Sequence, residues 1–69
     1  MLTTIEKVRL GIAKFSTFTA EEFGSDEVRV FRSGILAAKV RNGTVEQIYR
    51  GQKNLCGALV RDAIKAAIV

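Results

Sequence analysis

Hydrophobic residues recur at helical spacing near both ends of the chain. The first run follows a Thr3-x-x-Glu6 capping box, in which each side chain satisfies a backbone N–H of the first turn. The last run, over residues 56–67, places apolar positions on one helical face and charged positions on the other. The pattern predicts helices over about residues 4–14 and 55–68, with Asn54 as the cap of the second. The apolar residues that predict the first of these helices are Ile5, Val8, Ile12 and Phe15.

One glycine lies inside the first of these helices. Gly11 costs about 1 kcal/mol relative to alanine in a helix interior. We therefore expect tertiary packing to hold that turn.

A second capping box, Thr19-x-x-Glu22, precedes Gly24, a residue that commonly ends helices. Phe18 stands before the cap and Phe23 four positions into the helix, the arrangement of a hydrophobic staple. The pattern predicts a short helix over residues 19–24.

The hydrophobic residues between positions 25 and 53 fit two different periods. With a period of two, they predict strands over residues 28–32, 35–41 and 44–50, joined by turns at Ser33-Gly34 and Asn42-Gly43. A two-residue turn at Asn42-Gly43 would pair Lys39 with Glu46 and Val40 with Val45. This interpretation gives an α+β fold in which a three-stranded antiparallel meander lies between two helices.

With a helical period, the same segment gives a different α+β fold. A helix over residues 33–42 would begin at a Ser33 cap, carry Leu36 and Val40 inward and end at Asn42-Gly43. Residues 44–50 would then form a strand.

On this helical interpretation the order of elements resembles winged helix-turn-helix DNA-binding domains. Residues 18–23 (FTAEEF) look like the start of that family's second helix. Residues 34–48 (GILAAKVRNGTVEQI) look like its recognition helix, turn and first wing strand. The resemblance implies a small winged-helix-like domain that places residues 33–42 near the groove of duplex DNA. We keep the meander as the alternative.

Composition limits the other possibilities. Sixty-nine residues, 48% of them hydrophobic, predict a single globular domain over residues 1–69. No apolar run approaches the length of a membrane span, and the first residues do not resemble a signal peptide. Cys56 is the only cysteine and histidine is absent, so we expect a cytoplasmic protein with no metal, no cofactor and no catalytic site. Cys56 itself is expected to be a small core residue.

Positive charge is concentrated in the middle of the chain. Residues 28–53 carry six basic groups against the single acid Glu46, and the whole chain has a net charge of +4. Because phosphate contacts dominate affinity for DNA, either fold predicts attraction to a polyanion. The alternative is a solvated charged surface, since +4 lies within the usual solubility range of roughly 2 to 8 for a small domain.

We therefore expect a small DNA-binding protein, a transcriptional regulator that favours double-stranded DNA. The alternative is a protein-interaction module or inhibitor that docks its basic face on an acidic partner. The last helix is expected to supply a homodimer interface through Leu59, Ile64 and Ile68. The predicted nucleic-acid-binding residues are Arg29, Arg32, Ser33, Ala37, Lys39, Arg41, Arg50 and Lys53.

Overall fold

The computed structural model describes residues 2–24 and 27–69, which form an α+β fold. A helix lies at each end, and the strands lie between them. In chain order the elements are α1 (Thr4–Ile12), β1 (Phe18–Phe23), β2 (Glu27–Arg32), β3 (Ile35–Arg41), β4 (Thr44–Gln47), β5 (Tyr49–Arg50), β6 (Lys53–Asn54) and α2 (Ala58–Ile68).

The four longer strands form an antiparallel sheet in the order β1-β2-β3-β4, and β5 and β6 form a separate small hairpin. Two-residue turns join β2 to β3 and β3 to β4. Their residues all have positive φ, between 50° and 83°, which matches the strand twist of tight hairpins. Lys39 pairs with Glu46 and Val40 with Val45, as the meander interpretation predicted. The order helix, meander, helix is confirmed.

The predicted helix over residues 33–42 is wrong, because residues 35–41 are strand β3. A helix cap at Ser33 needs extended backbone, whereas Ser33 and Gly34 both adopt positive φ, 51° and 83°. The winged-helix arrangement is therefore not confirmed.

The predicted helix over residues 19–24 is also wrong, because residues 18–23 are strand β1. Ala20 is buried while its neighbours Thr19 and Glu21 are exposed, which is a strand alternation. A six-residue helix also forms too few hydrogen bonds to offset its nucleation, whereas pairing along β2 satisfies the backbone.

A β-bulge shapes the end of the sheet. The register shifts between Val30 and Phe31, which leaves Ala37 of β3 as an extra residue opposite β2. The C=O of Ala37 accepts a hydrogen bond of 2.9 Å from the N–H of Ile48. The predicted strand over residues 44–50 is interrupted at Ile48, where the chain leaves β4 and enters the small hairpin.

Both terminal helices are confirmed with shorter bounds. The Thr3 and Glu6 capping box is present, and α1 ends at Ile12, two residues before the predicted end. The second helix begins at Ala58 because Gly57 has φ of 85°, outside the helical region. Asn54 does not cap it. Its Oδ1 instead accepts hydrogen bonds from the N–H groups of residues 56 and 57, which hold the loop before the helix.

The two helices cover one face of the sheet and pack closely against each other. A Cβ atom placed on Gly11 would lie 2.9 Å from Ala67 Cβ and 3.0 Å from the carbonyl oxygen of Ala63. The glycine is thus needed for the close approach of the helices, which confirms that packing holds this turn. The buried core consists of Val8, Ile12, Ala20, Val28, Val30, Ala37, Ala38, Val40, Cys56, Val60 and Ile64. Within the described part of the chain, neither helix is long and apolar enough to span a membrane.

Candidate nucleic-acid interface

The structure separates the eight predicted binding residues into two surfaces and one buried position. Ala37 is fully buried as the extra residue of the β-bulge, so the prediction that it contacts DNA is wrong for the folded chain. The other seven divide by their place on the sheet. Arg29, Lys39 and Arg41 lie on the sheet face that the helices do not cover, and Arg32, Ser33, Arg50 and Lys53 lie toward one end of the sheet.

The uncovered sheet face, here called the open sheet face, carries equal numbers of acidic and basic residues in two rows across its strands. Glu21 of β1 pairs with Arg29 of β2, which pairs with Lys39 of β3, which pairs with Glu46 of β4. A second row contains Glu27 opposite Arg41. These rows hold three acids and three bases. The open sheet face therefore has no net charge from them, although it contains half of the basic residues of the middle segment.

Glu27 joins two of these arginines. Arg29 Nε donates to Glu27 Oε2 at 2.5 Å, and Arg41 Nη2 donates to Glu27 Oε1 at 2.6 Å. The two arginine hydrogen bonds, that from Arg29 being the stronger cause, lower the pKa of Glu27 from its ordinary 4.5 to about 2. The Arg29 guanidinium also lies 4.2 Å from the centre of the Phe23 ring. Both guanidinium groups are thus engaged within the protein.

At the end of the sheet where β1 begins and β2 ends, the basic side chains form no ion pair with a carboxylate in the described part of the chain. Three segments meet here: the loop after α1, the turn between β2 and β3, and the β5–β6 hairpin. The N–H of Ser33 donates to the carbonyl of Thr17 at 2.9 Å, which ties the first segment to the second. Arg32, Ser33 and Lys53 line one concavity of about 190 Å3, which places the third beside them. We call this region the basic end, and its charged residues are Lys14, Arg32, Arg50 and Lys53.

Two aromatic rings support the basic end. The rings of Phe15 and Phe18 meet edge to face with their centres 6.2 Å apart, and both pack against the core. Lys14 Nζ lies 5.4 Å from the centre of Phe15, and the Arg32 guanidinium lies 6.0 Å from that of Phe18. These contacts orient the cationic groups without neutralising them.

The small hairpin supplies the other two charges. Arg50 and Lys53 are directly opposite each other on β5 and β6, so their side chains leave the same side of the hairpin. The hairpin is fixed at its base by Asn54, whose Nδ2 donates to Gln47 Oε1. The N–H of Leu55 also donates to the carbonyl of Ile48 at 3.0 Å. The two charges therefore project from a tethered element.

Acidic residues are absent from all three segments of the basic end. Residues 7–20, 28–45 and 47–61 contain no Asp or Glu. Among residues 2–24 and 27–69, no carboxylate forms an ion pair with any of the four basic side chains of the basic end. Such a cluster of cations attracts polyanions, and the exposed hydroxyl of Ser33 adds a hydrogen-bond donor beside it.

The residues predicted for a dimer interface do not form one surface. Ile64 is fully buried in the core of its own chain, and Ile68 is half-buried against that core. Leu59, at 79% exposure, is the one of the three that a second chain could reach. Dimerisation through the last helix remains a prediction that rests on Leu59.

Sequence reasoning missed two residues of this region. Lys14 was assigned to the first helix, although α1 ends at Ile12 and Lys14 reaches the basic end from the following loop. Tyr49 was not among the predicted binding residues, because aromatic residues in strands are more often core, yet it is 59% exposed on the small hairpin. The acid-free stretches were visible in the sequence, but only the topology shows that they meet.

No protein-family model, characterised protein or solved structure is significantly similar to this chain. The functional assignment accordingly rests on the geometry and charge of the chain itself.

Proposed function

We propose that this protein binds nucleic acid, with DNA as the expected ligand, through phosphate contacts made by the basic end. Arg32, Arg50 and Lys53 contact the backbone, and Ser33 donates a further hydrogen bond. Arg29, Lys39 and Arg41 belong to the charge-balanced open sheet face and take no part. This division revises the continuous basic site that the sequence suggested.

One observation carries the proposal. Four basic side chains lie on three acid-free segments that meet at one end of the sheet, while the three basic residues of the open sheet face are matched by three glutamates. Clustered like charges repel one another and lower the stability of the free protein, and a polyanion would relieve that repulsion. Phosphate recognition fits the side chains present, because arginine presents a planar fork of donors and lysine a compact charge.

The test measures the affinity of the full chain for a short generic DNA duplex over a series of salt concentrations. A variant carrying both Arg50→Ala and Lys53→Ala should bind more weakly, because two phosphate contacts are lost. The slope of log K against log salt should fall by about 0.9 for each lost contact. Fluorescence anisotropy of a labelled duplex gives both quantities.

The control carries Lys39→Ala and Lys65→Ala, which remove the same total charge from the open sheet face and from α2. It should retain both the affinity and the salt slope of the unaltered protein. If the control weakens binding as much as the test variant, net charge and not the basic end determines affinity, and the proposed site is wrong.

An acidic protein surface is the competing ligand for the same four charges. Titration with DNA distinguishes nucleic acid from an acidic protein as the ligand. Absence of binding to both duplex and single-stranded DNA at low salt would reject the nucleic-acid proposal and favour the acidic protein partner, whereas salt-dependent binding lost in the Arg50→Ala, Lys53→Ala variant would support the nucleic acid.

A further inference from the structure

We infer that the basic end takes unpaired nucleotides, with Tyr49 stacking on a base while Arg50 and Lys53 hold neighbouring phosphates. The inference rests on the proposed function and specifies the form of its ligand. It replaces the preference for duplex DNA that the winged-helix resemblance implied.

The first ground is the exposure of Tyr49. Its side chain is 59% exposed, although it belongs to a strand of a hairpin that is anchored at its base. Among the described residues no other ring packs against it, whereas Phe15, Phe18, Phe23 and Phe31 form two ring pairs. Tyr49 is thus the most exposed of the described aromatic residues and the one without a ring partner.

The second ground is its position beside the phosphate-binding charges. Tyr49 and Arg50 are consecutive in β5, so their side chains leave opposite sides of the hairpin. Lys53 is on the same side as Arg50. A single nucleic-acid strand whose phosphates contact Arg50 and Lys53 on one side of the β5–β6 hairpin can bend one base around the edge of the hairpin. That base then stacks on Tyr49. A single strand has the flexibility to do so, and a stacked duplex does not.

The third ground is the chemistry of stacking. Aromatic side chains interleaved with basic groups are the common device for binding single strands, because every base offers a π-face regardless of sequence. In a duplex those faces are covered by neighbouring base pairs. Tyr49 should therefore add affinity for unpaired nucleotides and none for duplex.

The sequence offers a direct spectroscopic reporter. Tyr49 is the only tyrosine and the chain has no tryptophan, so tyrosine fluorescence comes from this residue alone. The experiment titrates the full chain with a thymidine homopolymer strand, with a matching duplex and with heparin, a polyanion that has no bases. A free tyrosine amide measured in parallel corrects for absorption of light by the nucleic acid.

The inference predicts that the single strand quenches Tyr49 fluorescence and that duplex and heparin bind without quenching. In anisotropy titrations with labelled strands, Tyr49→Leu should weaken single-strand binding about tenfold, leave duplex binding unchanged and keep the far-ultraviolet circular dichroism of the unaltered protein. Tyr49→Phe, which retains the ring, should bind the single strand like the unaltered chain.

Equal single-strand affinity in the unaltered protein and in Tyr49→Leu would overturn the stacking role. Equal quenching by duplex, or by heparin, would overturn it as well. Those results leave the proposed function standing as long as duplex binding is lost with Arg50 and Lys53. Failure of every nucleic acid to bind at low salt would instead overturn both proposals.

Discussion

The open sheet face and the basic end are built from the same basic segment of the chain, yet their electrostatics differ. On the open sheet face, Arg29 and Arg41 share Glu27, and Lys39 lies opposite Glu46. At the basic end, no carboxylate in the described part of the chain pairs with the cations. The comparison shows that a charge excess counted along a sequence does not locate a binding surface. Strand pairing decides which charges stay uncompensated.

The largest expected difference between the two regions is in their response to charge reversal. Lys53→Glu should lower affinity for nucleic acid about a hundredfold, because it removes an attractive group and places a negative charge against phosphate. Lys39→Glu makes the same change in net charge on the open sheet face and should alter affinity little. Anisotropy titrations at one low salt concentration measure both. Similar losses in the two variants would remove the distinction between the regions.

Helices α1 and α2 support the whole sheet, so a substitution that weakens their packing should destabilise the open sheet face and the basic end alike. Gly11→Ala gains about 1 kcal/mol of helix propensity, but the added methyl group would lie 2.9 Å from Ala67 Cβ and 3.0 Å from the Ala63 carbonyl oxygen. We expect a net loss of about 1–3 kcal/mol in the free energy of unfolding, measured by urea denaturation.

The paired change Gly11→Ala with Ala67→Gly removes the closer of the two contacts and should recover part of that loss. An alanine at position 11 that proved stabilising alone would show that the helices are not held at this close approach.

Glu27 on the open sheet face should make part of the stability of the protein depend on pH. Because its folded-state pKa is depressed to about 2, Glu27 contributes stability in full above its ordinary pKa of 4.5, and the contribution is lost as the pH falls through about 2. Glu27→Gln should be less stable than the unaltered protein at neutral pH, and the difference should shrink between pH 4.5 and 2. Thermal melts across that range test this. A difference independent of pH would mean that the carboxylate charge is not what the two arginines recognise.

The smallest expected effect is on thermal stability. Loss of one positive charge should change Tm in opposite directions in the two regions. Arg50→Gln relieves repulsion at the basic end and should raise the Tm of the free protein at low salt by about 1–2 °C. Arg41→Gln removes the guanidinium that hydrogen-bonds to Glu27 on the open sheet face and should lower Tm by a similar amount. Added salt should reduce both shifts, since exposed charges are screened. Shifts of the same sign would contradict the assignment of charge balance to one region only.

Local sequence signals predicted the parts of this fold whose determinants lie close together in the chain. The Thr3 and Glu6 capping box marked the start of α1, and the Asn42-Gly43 turn fixed the register that pairs Lys39 with Glu46. Strand β1 was misread because Thr19 and Glu22 match a helix cap locally, while the pairing that makes the segment a strand comes from β2. Pairing with a strand that lies elsewhere in the sequence cannot be recognised from a short local segment.

The candidate site was predictable only in part for the same reason. Arg32, Ser33, Arg50 and Lys53 were named from the sequence because the segment holding them is basic. That Arg29 and Arg41 belong to a different surface could be recognised only from the sheet register, which places Glu27 between those two arginines. Lys14 lies far from the others in the chain, and only the packing of the rings of residues 15 and 18 brings it to the same end.

The most direct test of the central claim is a map of backbone amide chemical shifts with and without a short DNA strand at low salt. We predict salt-sensitive changes confined to residues 14–18, 32–35 and 49–54, with none over residues 39–46. Changes centred on residues 39–46 would place the interface on the open sheet face and contradict this prediction.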